Sequence, residues 1–198
     1  MLLRTAASLV VLASLASCSG TELEPETVYV APEVEVNRFP HALDLDGDGE
    51  TDFTISQTSL GGPGTFVFKY YFNDYAAAAS VLRWYDDLYL EEGDEVGPYP
   101  DDDYGGAAEP PAWSVLPAWL LDRVWREASE EETAGPLADE QSVYVGVRLE
   151  GEDGTRYGWV RLSASIEPSE VPVATAAITV HEYALGAVGQ PVRVGERP

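Results

Sequence analysis

Apolar residues along this chain recur mainly at every second position, the period of a half-buried strand, and they do so most regularly in the final third. Ser142 to Glu150 sets Val143, Val145, Val147 and Leu149 on one face, and Gly151-Glu152-Asp153-Gly154 follows as a hairpin loop. Arg156 to Ile166 returns with Val160 and Leu162 on one face and Tyr157, Trp159 and Arg161 on the other. After a loop over Pro168 to Pro172, Ala177 to Leu185 predicts a third strand in meander order. In the amino half, Thr65 to Asn73 places Phe66, Phe68, Tyr70 and Phe72 on one face against Val67, Lys69 and Tyr71. Phe53 to Ser59 precedes it as a shorter strand, and Leu60-Gly61-Gly62-Pro63-Gly64 turns the chain between them. The pattern predicts an all-β fold, and a jelly-roll-like β-sandwich is the expected architecture.

The middle third breaks the period. Ala76 to Leu90 mixes alanines with Leu82, Trp84, Tyr85, Leu88 and Tyr89 and fits neither a helix nor a strand. Glu91 to Pro98 reads as a turn and Tyr99 to Pro111 as an acidic loop rich in Pro, Gly and Asp. Ala112 to Ala128 predicts one short helix after Pro117, closed by Glu130-Glu131-Glu132 and Gly135-Pro136. The sandwich is therefore expected to carry a long, partly helical insertion from Pro98 to Pro136. Irregular stretches of that length are uncommon inside compact domains, which makes this the place for a family-specific function. At the other end, Ser19 to Asn37 is Glu, Pro, Thr and Val with hardly an aromatic, the composition of a tether. Thr27 to Val36 also alternates, and an edge strand fits it equally. The expected order is a signal segment over 1–17, a tether over 18–38, a compact domain over 39–194, in which Val192 and Val194 fit an edge strand, and a tail over 195–198.

The signal segment follows from Arg4, a positive start, and from the apolar run Ala6 to Ala16, which is too short to span a bilayer. Cys18 is the single cysteine among 198 residues, so an internal disulfide, a cysteine zinc site and a thiol enzyme are all excluded from the mature domain. Removing residues 1–17 takes away only Arg4, leaving 10 basic and 35 acidic residues and a net charge of −25. That sign argues against nucleic acid as a partner and against adhesion to anionic lipid through a basic patch. It fits a salt-rich surrounding or a surface that gathers divalent cations.

The most specific chemical signal is Asp44-Leu45-Asp46-Gly47-Asp48-Gly49-Glu50-Thr51-Asp52. Calcium takes about 6–8 oxygen ligands, so alternate carboxylates must converge while the backbone turns tightly. Asp44, Asp46, Asp48 and Asp52 hold positions one, three, five and nine, and the Glu50 carbonyl would serve at seven. Gly49 stands at the sixth position, where positive φ is needed. An EF-hand wants a bidentate glutamate at position twelve, where this chain has Ile55, and Phe53-Thr54-Ile55 reads as a strand. The loop thus resembles the DxDxDGxxD calcium loops between strands of integrin-type and thrombospondin-type repeats, here present once. The alternative is an acidic turn with no ion.

Two further resemblances bear on address and family. Leu15-Ala16-Ser17-Cys18 resembles the bacterial lipobox. That resemblance implies lipidation of Cys18 and an anchor in the cell envelope, at the outer membrane or cell surface; a plain secretory signal is the alternative. Val143-Tyr144-Val145-Gly146-Val147-Arg148-Leu149, Tyr157-Gly158-Trp159-Val160-Arg161-Leu162 and Ile178-Thr179-Val180-His181-Glu182-Tyr183-Ala184 resemble the closing strands of a group of secreted bacterial proteins. Its members end in YxGxRF, YGWxRL and IxxYA strands, often open with a DxDGDG segment, and many carry sorting tails of the PEP-CTERM kind. Leu90 to Gly97 resembles the L-x-x-G-x-x-I-G step of the same group. The resemblance implies a β-sandwich and surface exposure but no activity, and the Pro98 to Pro136 insertion departs from it.

Other chemistry is thin. His41 and His181 lack a second histidine at the spacing of a zinc helix, so His181 reads as structural. Trp159 and Arg161 on one face would suit a sugar, but aromatic rows on strands mostly build cores. Asp101-Asp102-Asp103 reads as a solvated acidic run rather than a second ion site. No G-x-S-x-G elbow, phosphate loop or S-x-x-K is present. No catalytic residue is assigned. The expectation is a calcium-stabilised module on a lipid anchor, with a glycan or protein ligand. The alternative is a carbohydrate-binding or carbohydrate-hydrolysing protein using Trp113, Trp119 or Trp125 as its platform.

Overall fold

The computed structural model describes residues 27–75, 79–83, 89–101, 111–114, 116–126, 132–138, 142–166 and 176–197. The signal segment, Cys18, the first part of the tether, Trp84, Asp102, Asp103 and the Pro168 to Pro172 loop lie outside these residues. In chain order the strands are β1 (Val28–Val30), β2 (Val34–Val36), β3 (His41–Leu43), β4 (Phe53–Gly62), β5 (Thr65–Asp74), β6 (Ala79–Arg83) and β7 (Glu95–Val96). There follow β8 (Ala112–Ser114), β9 (Ala118–Arg126), β10 (Glu132–Ala134), β11 (Val143–Gly151), β12 (Gly154–Ile166), β13 (Ala176–Leu185) and β14 (Val192–Arg193). No helix occurs among the described residues.

A larger sheet runs β1-β13-β12-β11-β6-β8, with β2 also on β13; a second runs β10-β9-β5-β4-β3, and β14 pairs β7. The pairs within these strands are antiparallel. The two large sheets share one core: Phe53, Ile55, Tyr70, Phe72 and Leu120 come from the smaller, Val145, Val147, Val160, Leu162, Ile178 and Val180 from the larger. Each large side chain buried this way contributes about 1.5–3 kcal/mol. The architecture is sandwich-like, as the two-residue period implies. The opposite residues of β12, Tyr157 and Trp159, join Leu82, Leu90, Val96, Trp113, Ala184 and Val194 in a second cluster.

The predicted helix over Ala112 to Ala128 is corrected: its described residues form β8 and β9. A bulge explains the misreading. Tyr70 faces Leu121 while Tyr71 faces Trp119, so Leu120 has no opposite residue and both Leu120 and Leu121 point inward. Two adjacent inward residues imitate a helical spacing. Of the two readings open for Thr27 to Val36, the edge strand is the one present, because β1 and β2 pair with β13. The Pro98 to Pro136 insertion is structured in its described residues too, for it contributes β8, β9 and β10, and Asp101 bridges to Trp113.

Gly158, in the middle of the Tyr-Gly-Trp run, is held by close approach. A Cβ there would stand 2.3 Å from the Ala184 carbonyl oxygen and 2.6 Å from Leu185 Cδ2. Gly158→Ala is therefore expected to destabilise the protein by about 1–3 kcal/mol, the usual result of overpacking. A denaturant midpoint equal to that of the wild type would contradict this contact.

Candidate metal centre

The acidic loop closes the hairpin between β3 and β4. Leu43 pairs with Phe53, and Asp52 N donates to Leu43 O at 2.9 Å, so the loop is pinned at its base. Its curvature needs left-handed backbone at Gly47 (φ 80°) and Gly49 (φ 91°). The carboxylates hold this shape by accepting from the loop's own amides. Asp44 Oδ1 accepts from Gly47 N at 2.7 Å and Oδ2 from Gly49 N at 2.9 Å. Asp46 Oδ1 accepts from Asp48 N at 3.1 Å, and Asp48 Oδ1 from Glu50 N at 2.7 Å.

Ligand-capable oxygens of Asp44, Asp46 and Asp48 lie within 4.8 Å of one another, all three residues being exposed. This triad could hold a metal ion. Amide bonds leave carboxylate lone pairs unused, since each carboxylate offers about four acceptor positions. A strand, β4, leaves the loop, as the spacing predicts. The Glu50 side chain is exposed, consistent with a residue that would contribute only its carbonyl.

Asp52 occupies a different setting. It lies outside the cluster of three, is 9% exposed, and accepts from the buried Leu45 N at 2.7 Å through Oδ2. Burial pushes its carboxyl up to about 6; the Leu45 amide opposes this, while the charges of Asp46, Asp44 and Asp48 add to it. Tyr183 on β13 is raised in the same sense, by burial and then by Asp44 and Asp52. The loop is thus a concentration of negative charge whose repulsion a hard cation would relieve.

No family model, curated protein or solved structure matches this chain. The reading of the loop therefore rests on its own geometry.

Beside the cluster lies an open cleft of about 240 Å³, lined by Asp46, Gly47 and Asp48 on one side and by Gly151, Glu152, Asp153 and Arg156 of the β11–β12 hairpin on the other. Among the described residues, Trp113, Trp119 and Trp125 do not assemble into one surface. Trp113 is buried and donates from Nε1 to Gly97 O at 3.1 Å, whereas Trp125 packs on Phe66. Trp119 is 37% exposed and donates to Asp122 Oδ1 at 2.7 Å. The bulge at Leu120 turns Trp119 outward and Trp125 toward the face of Phe66. Asp101 pairs with Arg148 Nη1 at 2.6 Å.

One charged centre has no signal in the sequence. Glu182, 4% exposed, accepts from Tyr29 Oη at 2.6 Å, Arg161 Nη1 at 3.1 Å, and Arg197 Nε and Nη2 at 3.0 Å each. Burial alone would raise its carboxyl, but the hydrogen bonds from Arg197, Tyr29 and Arg161 outweigh that and hold it at about 2.

Proposed function

We propose that this chain is a lipid-anchored module of the cell envelope or cell surface, with a sandwich stiffened by Ca2+. Asp44, Asp46 and Asp48 would bind the ion through side-chain oxygens, the Glu50 carbonyl and Asp52 would extend the shell, and Cys18 would carry the lipid. The observation that carries the reading is the convergence of three carboxylates in a loop that closes a hairpin at the rim of a sheet. An all-oxygen, carboxylate-rich set suits calcium, which accepts variable geometry, better than magnesium, which demands a near-ideal octahedron. Without disulfides, the domain gains rigidity from such an ion wherever free calcium exceeds its dissociation constant. On this reading the module presents a surface to a glycan or protein ligand, and its −25 charge keeps nucleic acid away.

The test is a pair of melting curves. Calcium at a hundred times its dissociation constant should stabilise the wild type by about 2.7 kcal/mol, a rise of roughly 5–10 °C for a domain of this size. Asp46→Ala should lose that rise and melt with the wild type in chelator. Equal loss in both conditions would remove the ion from the account. The cleft beside the cluster favours a second reading, in which the bound ion also meets hydroxyls of a carbohydrate. A glycan-array screen with and without calcium separates the two, because only the second requires calcium-dependent spots.

A further inference from the structure

On β12, β13 and the link between β1 and β2, three side chains far apart in sequence meet in a fixed order. Ser163 Oγ lies 2.8 Å from His181 Nε2, and His181 Nδ1 lies 2.8 Å from Glu33 Oε2. A second bulge produces this alignment. Arg161 pairs with Glu182 and Leu162 with Val180, which leaves His181 without an opposite residue on β12. On the other edge of β13, Val30 pairs with Tyr183 and Val34 with Val180, so the link through Glu33 crosses the same irregularity. Glu33 N reaches His181 O at 3.4 Å, and Glu33 takes φ 47°, a left-handed backbone that residues with a Cβ seldom adopt. Such conformations cluster where the surroundings dictate them, often at functional positions.

We propose that Ser163, His181 and Glu33 form a nucleophile, its general base and the carboxylate that orients the base, and that this sheet face hydrolyses acyl esters. The order of contacts meets the chemical requirement. An ionised carboxylate only accepts, so the proton of the neutral imidazole sits on Nδ1 and Nε2 is left to accept from the Ser163 hydroxyl. In the acylation step Ser163 Oγ bonds to the ester carbonyl carbon as its proton passes to Nε2. The tetrahedral oxyanion then collapses, the bond to the alcohol oxygen breaks, and that oxygen takes the proton from Nε2. Water repeats the sequence on the acyl-serine, releasing the carboxylic acid and restoring Ser163. Arg161, two residues earlier on β12, is held by Ser142 Oγ and Glu182 Oε1 at 3.1 Å each and places a cation on the strand face that carries Ser163. Exposure defines the substrate class: the side chains of His181 and Glu33 are 24% and 66% exposed, so the set suits a small acyl group displayed on the outside of a larger molecule.

The experiment uses the full chain, a fluorophosphonate probe and p-nitrophenyl acetate. Mass spectrometry of the labelled protein should place the adduct on Ser163. Ser163→Ala should abolish both labelling and burst release of p-nitrophenol while leaving the melting temperature near that of the wild type. His181→Gln should slow labelling about 10²-fold or more, the usual contribution of a general base. Glu33→Gln should lower kcat with little change in KM, and Glu33→Asp should recover part of the loss. Absence of an adduct on Ser163, or labelling that persists unchanged in His181→Gln, overturns the proposal.

Discussion

Replacing Glu182 with alanine should lower the melting temperature by about 4–12 °C at neutral pH, corresponding to roughly 2–3 kcal/mol. The loss arises because one buried carboxylate serves three donors, and its removal strands Tyr29, Arg161 and Arg197 together. The estimate sits below that for a fully buried pair because Arg197 is 60% exposed and its share is screened by water and salt. The pH dependence has a definite sign. The folded carboxyl is held at about 2, below its ordinary value of 4.5, so the contribution is complete above about pH 4.5 and is lost as pH falls toward 2. The difference between wild type and Glu182→Ala should therefore be constant from pH 5 to 8 and shrink steadily in acid. A difference independent of pH down to 2 would mean that the carboxylate is not held by its charge partners. Calorimetry across that range decides it.

Asp52→Asn should change stability in opposite directions depending on calcium. In chelator at pH 7.5 we expect the variant to melt about 2–8 °C higher, a gain of roughly 1–2 kcal/mol. Asparagine keeps an oxygen for the Leu45 amide but removes a charge that burial and three neighbouring aspartates disfavour. With the folded carboxyl raised to about 6 from 3.8, the wild type gains stability as pH falls through that interval. The advantage of the variant is then greatest above pH 6 and vanishes below about pH 4. In saturating calcium the order should reverse, since the cation that the loop is proposed to bind would favour the ionised Asp52. A variant less stable than wild type in chelator at pH 7.5 would show that the buried charge is not a burden; an unchanged order in calcium would detach Asp52 from the ion.

What the sequence revealed follows from how local each feature is. The strands β5, β11 and β12 are legible because each is at least nine residues long and carries an apolar row at every second position of one face. β9 was not, since the extra inward residue Leu120 breaks the period and mimics a helix. β7, two residues long, is too short to carry any period, whereas β14 coincides with the alternation of Val192 and Val194. β1 and β2 were ambiguous because edge strands lying on one neighbour retain the polar composition of a linker. The same division holds for chemistry. The spacing of Asp44, Asp46 and Asp48 is a property of one loop and could be read directly, whereas the burial of Asp52 depends on how that loop settles on the sheet. Glu182 with its three donors, and Ser163 with His181 and Glu33, join residues up to 153 positions apart. Bulges and edge pairing bring them together, and no motif announces them.

Glu182 also ties β1 to the residues that follow β14. Tyr29, on the first strand, and Arg197, past the last, grip the same carboxylate. These two segments are therefore held side by side, the arrangement tolerated best when a domain is spliced into a host loop. The exposed turn at Glu152 and Asp153 lies between β11 and β12, where a new break in the chain would unthread neither sheet.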